Sequence, residues 1–217
     1  MKSIETRGIT YIEAVPGCKG EWYFGLDRPH GDLYEAEEMF RSGMPVEGRS
    51  LVLIRYPDGT VYRPLEKTAG EYSEAPVYSN GGIYILNVSF KDSEIRVLRF
   101  DCESHMTETV SVLPLDAVKD CYNLQLHVFP VTLTRQGAEG SFDIVWPERC
   151  SFEMGERESF FLRNGDRLYF NKWYEEGDGA DYRYWEETVV RSLDGRVLEV
   201  LSGDVRLMPN GELWHLE

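Results

Sequence analysis

Six polar residues are the best candidates for chemistry in this chain: Tyr11, Glu13, Tyr78, His127, Arg163 and Arg206. Each falls in a short strand-like run, and His127 in "LQLHVFP" alternates away from Leu124, Leu126 and Val128. Side chains of a strand point to opposite faces in turn, so such positions can face a tunnel while their neighbours face a core. Two guanidinium groups, an imidazole and two phenols around one funnel would suit a small anionic or polyhydroxylated ligand. The competing structural reading makes them tunnel-filling hydrogen-bond pairs, for instance Glu13 with an arginine.

A second polar stretch, "WYEEGDGADYRYWEE" at residues 173–187, sets six carboxylates among five aromatic rings. Clustered oxygens could hold Ca²⁺, and flat rings beside carboxylates suit a sugar face. The spacing matches no calcium loop, so the stretch is expected as an exposed hairpin tip.

No catalytic set is expected. The chain has no phosphate loop, no G-x-G-x-x-G, no H-E-x-x-H, no G-x-S-x-G and no EF-hand series. Its histidines, His30, His105, His127 and His215, lack the close spacing that puts two imidazoles on one metal. Neither a metal nor a cofactor is expected.

The charge balance narrows the partners. Lys and Arg number 23 against 38 Asp and Glu, a net charge of −15 that repels phosphate backbones and anionic head groups. Nucleic acid and membrane surfaces are therefore not expected, and a small molecule or a protein is. Cys18, Cys102, Cys121 and Cys150 form no C-x-x-C pair. A chain of this size needs no disulfide staples, so idle thiols in a reducing compartment are expected. The opening "MKSIETRGITYIEAV" places Glu5 and Arg7 where a signal peptide would be apolar, and no run is long enough to span a bilayer. A cytoplasmic location follows as the expectation.

The elements that must position these groups are strands. One helix is expected in "DLYEAEEMFRSG": Asp32 as N-cap, Glu35 three residues on, and Gly43 as the stop. Its apolar face would carry Leu33, Ala36, Met39 and Phe40, with Glu35, Glu37 and Glu38 turned away. Elsewhere alternation dominates, as in "GIYILNVSF" and "EIRVLRF". Asp58-Gly59, Asn80-Gly81, Asn164-Gly165, Asp194-Gly195 and Asn210-Gly211 are hairpin dipeptides between such runs. The phrases "VYSNGGIYI", "FLRNGDRLYF" and "LMPNGELWHL" repeat, with Asn80, Asn164 and Asn210 separated by 84 and 46 residues. A repeat of about 42–46 residues, with a degenerate copy near "NLQLHVFPVTL", is the size of a four-stranded propeller blade.

The expected fold is thus all-β: one propeller-like domain over residues 1–217 with one short inserted helix. Its blades fall near 8–65, 75–115, 122–154, 158–201 and 204–217, the last incomplete or closed by the N-terminal strands. A twisted β-sandwich is the alternative. The phrase "ETVVRSLDGRVLEVLSGDVRLMPNGELWHL" resembles the blade style of TolB-like propellers. That resemblance covers the last third of the chain and implies a fold, not an activity. The expected function is a non-catalytic binding or interaction module. The alternative is a glycosidase-like enzyme on a five-bladed propeller similar to the arabinanase group, with Glu13, Asp27 and Asp143 as its carboxylates.

Overall fold

The Asx-Gly pairs act as the pattern requires. Asp58-Gly59, Asn80-Gly81, Asn164-Gly165 and Asp194-Gly195 each join two antiparallel strands, with glycine φ values between 59° and 82°. At the second of these Asn80 is left-handed as well, at φ 47°. Two consecutive positive φ values match the right-handed twist of the flanking strands, which is why this dipeptide closes a two-residue hairpin. The computed structural model describes residues 1–27, 31–208 and 211–217; His30 and the Asn210 of the fifth turn lie outside them. The chain divides into two units, Met1–Leu126 and His127–Glu217.

In the first unit β1 (Glu13–Ala14), β2 (Trp22–Leu26), β3 (Leu51–Arg55) and β4 (Thr60–Tyr62) form an antiparallel sheet in chain order. Helix α1 (Leu33–Arg41) is inserted between β2 and β3. A second sheet holds β5 (Glu71–Ser73), β6 (Val77–Ser79), β7 (Gly82–Ser89), β8 (Glu94–Asp101) and β9 (Thr107–Pro114). Here β5 and β6 pair with successive halves of β7. They are one outer strand interrupted at Pro76, which has no N–H to give a ladder. Expectation started this blade at residue 75 and so passed over β5.

The second unit opens inside β10 (Gln125–His127), whose sheet continues through β11 (Thr132–Gln136), β12 (Ser141–Trp146) and β13 (Cys150–Glu153). Next comes a sheet of β14 (Glu158–Asn164), β15 (Arg167–Glu176), β16 (Arg183–Ser192) and β17 (Val197–Ser202). The last pair is β18 (Asp204–Leu207) with β19 (Leu213–Leu216). Each sheet is made of consecutive strands, as propeller blades are. Among the described residues no strand crosses from one sheet to another, as a Greek-key sandwich would require.

Each sheet buries its faces against a neighbour in its own unit. In the first, Trp22, Phe24, Leu51 and Leu53 meet Ile83, Ile85, Leu98 and Phe100 in one cluster. In the second, Phe142 and Ile144 meet Phe160, Leu168, Phe170 and Val189, and Leu162, Tyr169 and Val190 pack with Val205. A fully buried aliphatic or aromatic side chain contributes roughly 1.5–3 kcal/mol, so these faces hold the sheets together. No helix among the described residues is long and apolar enough to cross a membrane.

The helix forms where expected, with its capping box: the Asp32 carboxylate accepts from the Glu35 N–H, and the Glu35 side chain accepts from the Asp32 N–H. Its inward face differs from expectation. Leu33 and Ala36 are buried, yet so is Glu37, whereas Phe40 is 41% exposed. Glu37 is drawn in because its carboxylate accepts from the Cys121 N–H at 2.6 Å and pairs with Arg41 at 2.6 Å. Those partners offset the cost of desolvating the charge. Replacing Glu37 with Ala strands the Cys121 N–H and is expected to cost about 2 kcal/mol in urea unfolding. Glu37→Gln, which keeps an acceptor, should recover most of that loss.

His127 carries a similar tension in the second unit. Its ring meets Phe160 edge-on at 4.7 Å, and its Nε2 is closed off without a hydrogen-bond partner. Burial therefore pushes its pKa down to about 4. The unfolded imidazole binds a proton near its ordinary pKa of about 6.5, while the folded one waits until about 4. Protons thus favour the unfolded chain, and stability falls as pH drops through this window. Between pH 7 and pH 5 the native chain should lose about 2 kcal/mol more than a His127→Phe variant, as read from paired denaturant titrations.

Candidate functional site

The ends of three strands in the first unit build a cleft. Arg55 is the last residue of β3, Arg99 and Asp101 lie at the end of β8, and Asn80-Gly81 closes the hairpin beside them. Together with Cys102, Glu103 and His105 they line an open cleft of about 550 Å³. The β7–β8 register pairs Ile83 with Phe100 and Gly82 with Asp101, so Phe100 enters the core while Arg99 and Asp101 point away from it. Arg99 lies over Gly82, where an added Cβ would meet its Nε at 2.4 Å. Glycine there leaves the space that the guanidinium fills.

Local hydrogen bonds hold the wall in place. Asp101 Oδ1 accepts from the Ser104 N–H at 2.8 Å, the Ser104 hydroxyl at 2.9 Å and the Glu103 N–H at 3.2 Å. Its Oδ2 accepts from Arg99 at 2.9 Å, and Arg99 also reaches Glu108 at 3.3 Å. The Ser104 contacts first, with Glu103 and Arg99, hold the Asp101 carboxyl down at about 2. Arg55 is bound by the Asp58 carboxylate, whose pKa falls well below the usual range, chiefly through that contact. At the rim, the Tyr62 hydroxyl meets His105 Nε2 at 3.2 Å, and the two rings lie 4.5 Å apart. His105 takes a positive φ of 60°, which turns its ring back onto Tyr62.

This arrangement offers fixed donors and acceptors instead of a proton-transfer pair. Asp101 stays ionised across the physiological range. Burial, and then the neighbouring Cys18, push the Cys102 thiol up to about 11, so it stays protonated and is a poor nucleophile at neutral pH. A carboxyl pushed up by burial occurs elsewhere, at Glu74, where Arg49 pairs with it at 3.1 Å. Among the described residues no group of three or more His, Cys, Asp or Glu side chains is arranged to hold a metal ion.

The six residues singled out from sequence have varied surroundings. In the first unit Tyr11 is 69% exposed, and Glu13 is exposed on β1. Tyr78, on the strand leading into Asn80-Gly81, packs against the core and gives its N–H to the Pro16 carbonyl at 2.7 Å. In the second unit His127 packs on Phe160. Arg163 is buried, donates to the Gly165 carbonyl at 2.8 Å and Thr132 Oγ1 at 3.1 Å, and forms an ion pair with the Glu148 carboxylate at 2.5 Å. Arg206 is exposed and pairs with Asp204 at 2.6 Å. Of the carboxylates an enzyme would use, Asp27 accepts from the Ser50 N–H at 2.5 Å and from Lys67 at 3.2 Å. Asp143 accepts from Ser151 at 2.6 Å and Arg135 at 3.2 Å.

Sequence reasoning passes over Arg55, Arg99 and Asp101, which come from hairpins far apart in the chain. One local signal bears on Asp101 alone. The Asp-x-x-Ser spacing of Asp101 and Ser104 marks a side-chain-capped turn, in the same sheet as the Asn80-Gly81 hairpin.

No family model and no curated protein matches the chain. Among solved structures it is similar to a protein provisionally described as a 6-phosphogluconolactonase from Bacteroides uniformis ATCC 8492. The two are 11% identical with a TM-score of 0.35, over 98% of this chain and 79% of that one.

Proposed function

We propose that the protein is a non-catalytic binding module whose first unit takes a small polyhydroxylated molecule in the Arg55–Arg99–Asp101 cleft. The observation that carries this reading is the mixed lining. Guanidinium and amide donors share the lining with the Asp101 and Glu103 carboxylates, and the lining residue His105 packs on Tyr62. A hydroxyl both donates and accepts, so a molecule rich in hydroxyls can satisfy both kinds of group, and its C–H faces can rest on a ring. A purely anionic ligand would meet Asp101 and Glu103 as well as the arginines. The lack of a protonation switch at Asp101 and Cys102 supports binding over turnover. The four free thiols support a reducing, cytoplasmic setting for this activity.

The test is a thermal-shift panel of neutral sugars, polyols and sugar acids, since a ligand that prefers the folded state raises its melting temperature. A neutral polyhydroxylated compound is expected to give the shift. Arg55→Ala and Arg99→Ala should each weaken it about tenfold, the loss of one charge-assisted hydrogen bond. A panel with no shift, or a shift that both variants retain in full, would overturn the proposal.

A further inference from the structure

In the second unit β15 and β16 run on past their sheet as a two-stranded arm. The β14 pairing reaches only to Lys172, and the β17 pairing only to Glu187. Trp173–Glu176 and Arg183–Glu186 therefore pair with each other alone, apart from one bond from the Gly203 N–H to the Glu186 carbonyl at 3.0 Å. A lone two-stranded ribbon is marginal in water, so its side chains must supply the missing support. Tyr174 and Trp185 stack across the strands with centroids 5.0 Å apart and planes 5° from parallel. The hydroxyls of Tyr174, Tyr182 and Tyr184 donate to Glu187, Glu175 and Glu186.

Large rings still face solvent on the arm: Trp173 is 39% exposed, Tyr184 52% and Trp185 37%. Strand alternation puts Tyr174 and Trp185 on one face and Trp173 and Tyr184 on the other. Each face of the arm thus shows solvent at least one large exposed ring, and aromatic rings left open in this way are suited to an interaction site. Two observations say what would cover it. Residues 173–187 carry six carboxylates and one arginine, so the complementary surface is basic. The rings already accept cations from their own chain, with Arg157 over Trp173 at 5.1 Å and Lys172 over Tyr174 at 5.4 Å. We infer that this arm is a docking element for an arginine- and lysine-rich polypeptide segment of a partner protein. The partner's cations lie over the arm's rings and pair with its carboxylates.

The probe is a short peptide alternating arginine with alanine, titrated into the full chain and followed by tryptophan fluorescence. Binding should weaken with added salt, because exposed charges are screened. Trp185→Ala, and separately the pair Glu176→Lys with Asp178→Lys, should each weaken it about tenfold at an unchanged melting temperature. Arg55→Ala should leave it unaltered, which separates this site from the cleft. The charge variants keep the rings in place, so they test docking even if Trp185→Ala disorders the arm. Equal peptide affinity in native and charge-reversed protein would overturn the inference. So would a neutral oligosaccharide binding the arm where the peptide does not.

Discussion

The pairing of Ile83 with Phe100 is the constraint from which the cleft follows. Side chains alternate with a period of two, so a slip of one residue between β7 and β8 would exchange the faces of β8. Phe100 would leave the core, and Arg99 and Asp101 would be forced into it. The turn that joins the two strands prevents this: the Ser93 N–H donates to the Phe90 carbonyl at 3.3 Å with Ser93 left-handed at φ 57°, and the Ser89 hydroxyl donates to Asp92 at 2.7 Å. The apolar content of β7 does the same from the other direction: Ile83 and Ile85 fill one face, and Leu86 and Val88 are buried too. With β7 buried along nearly its whole length, the charged groups that can meet a ligand are those at the strand ends, on β8 and on β3 of the neighbouring sheet. That is where Arg55, Arg99 and Asp101 stand.

Much of the fold was legible because it is written locally. The Asp32–Glu35 capping box, the four Asx-Gly turns among the described residues and the alternation of "GIYILNVSF" act over a few residues, and the structure follows each of them. The burial of Glu37 was not legible, because its partner Cys121 lies 84 residues away and only the folded chain brings them together. β5 was missed for a related reason: three residues ahead of Pro76 carry too short a pattern to register, and their pairing with β7 depends on strand length in a partner. The cleft draws on residues 55, 80–81 and 99–105, and nothing in their spacing announces a common surface.

Burial sorts the arginines into two kinds. Arg49, Arg135 and Arg163 are nearly inaccessible and tie loops and carboxylates together from within. Arg49 also lies over the Tyr72 ring at 4.9 Å. Such groups cannot be spared for a ligand without leaving a buried carboxylate or carbonyl unmatched, which costs more than one new contact returns. Arg55 and Arg99 reach solvent; Asp58 and Glu108 are surface carboxylates that water can solvate in their place, and Asp101 keeps its Ser104 and Glu103 hydrogen bonds if Arg99 turns away. An arginine count would therefore mislead; exposure of the partner decides which guanidinium can change its bond.

The arm of β15 and β16 has a kinetic consequence. Its cross-strand hydrogen bonds beyond Lys172 and Glu187 have no third strand to cover them, unlike those of the sheet at its base. The ribbon can open without disturbing the Phe142–Phe160–Phe170 cluster, so its amide protons exchange with solvent through local opening, at a free energy far below that of global unfolding. The stacked Tyr174–Trp185 pair slows that opening, acting as a latch near the middle of a strip otherwise held at one end. The molecule thus joins a blade that exchanges slowly to a strip that exchanges fast, within two continuous strands.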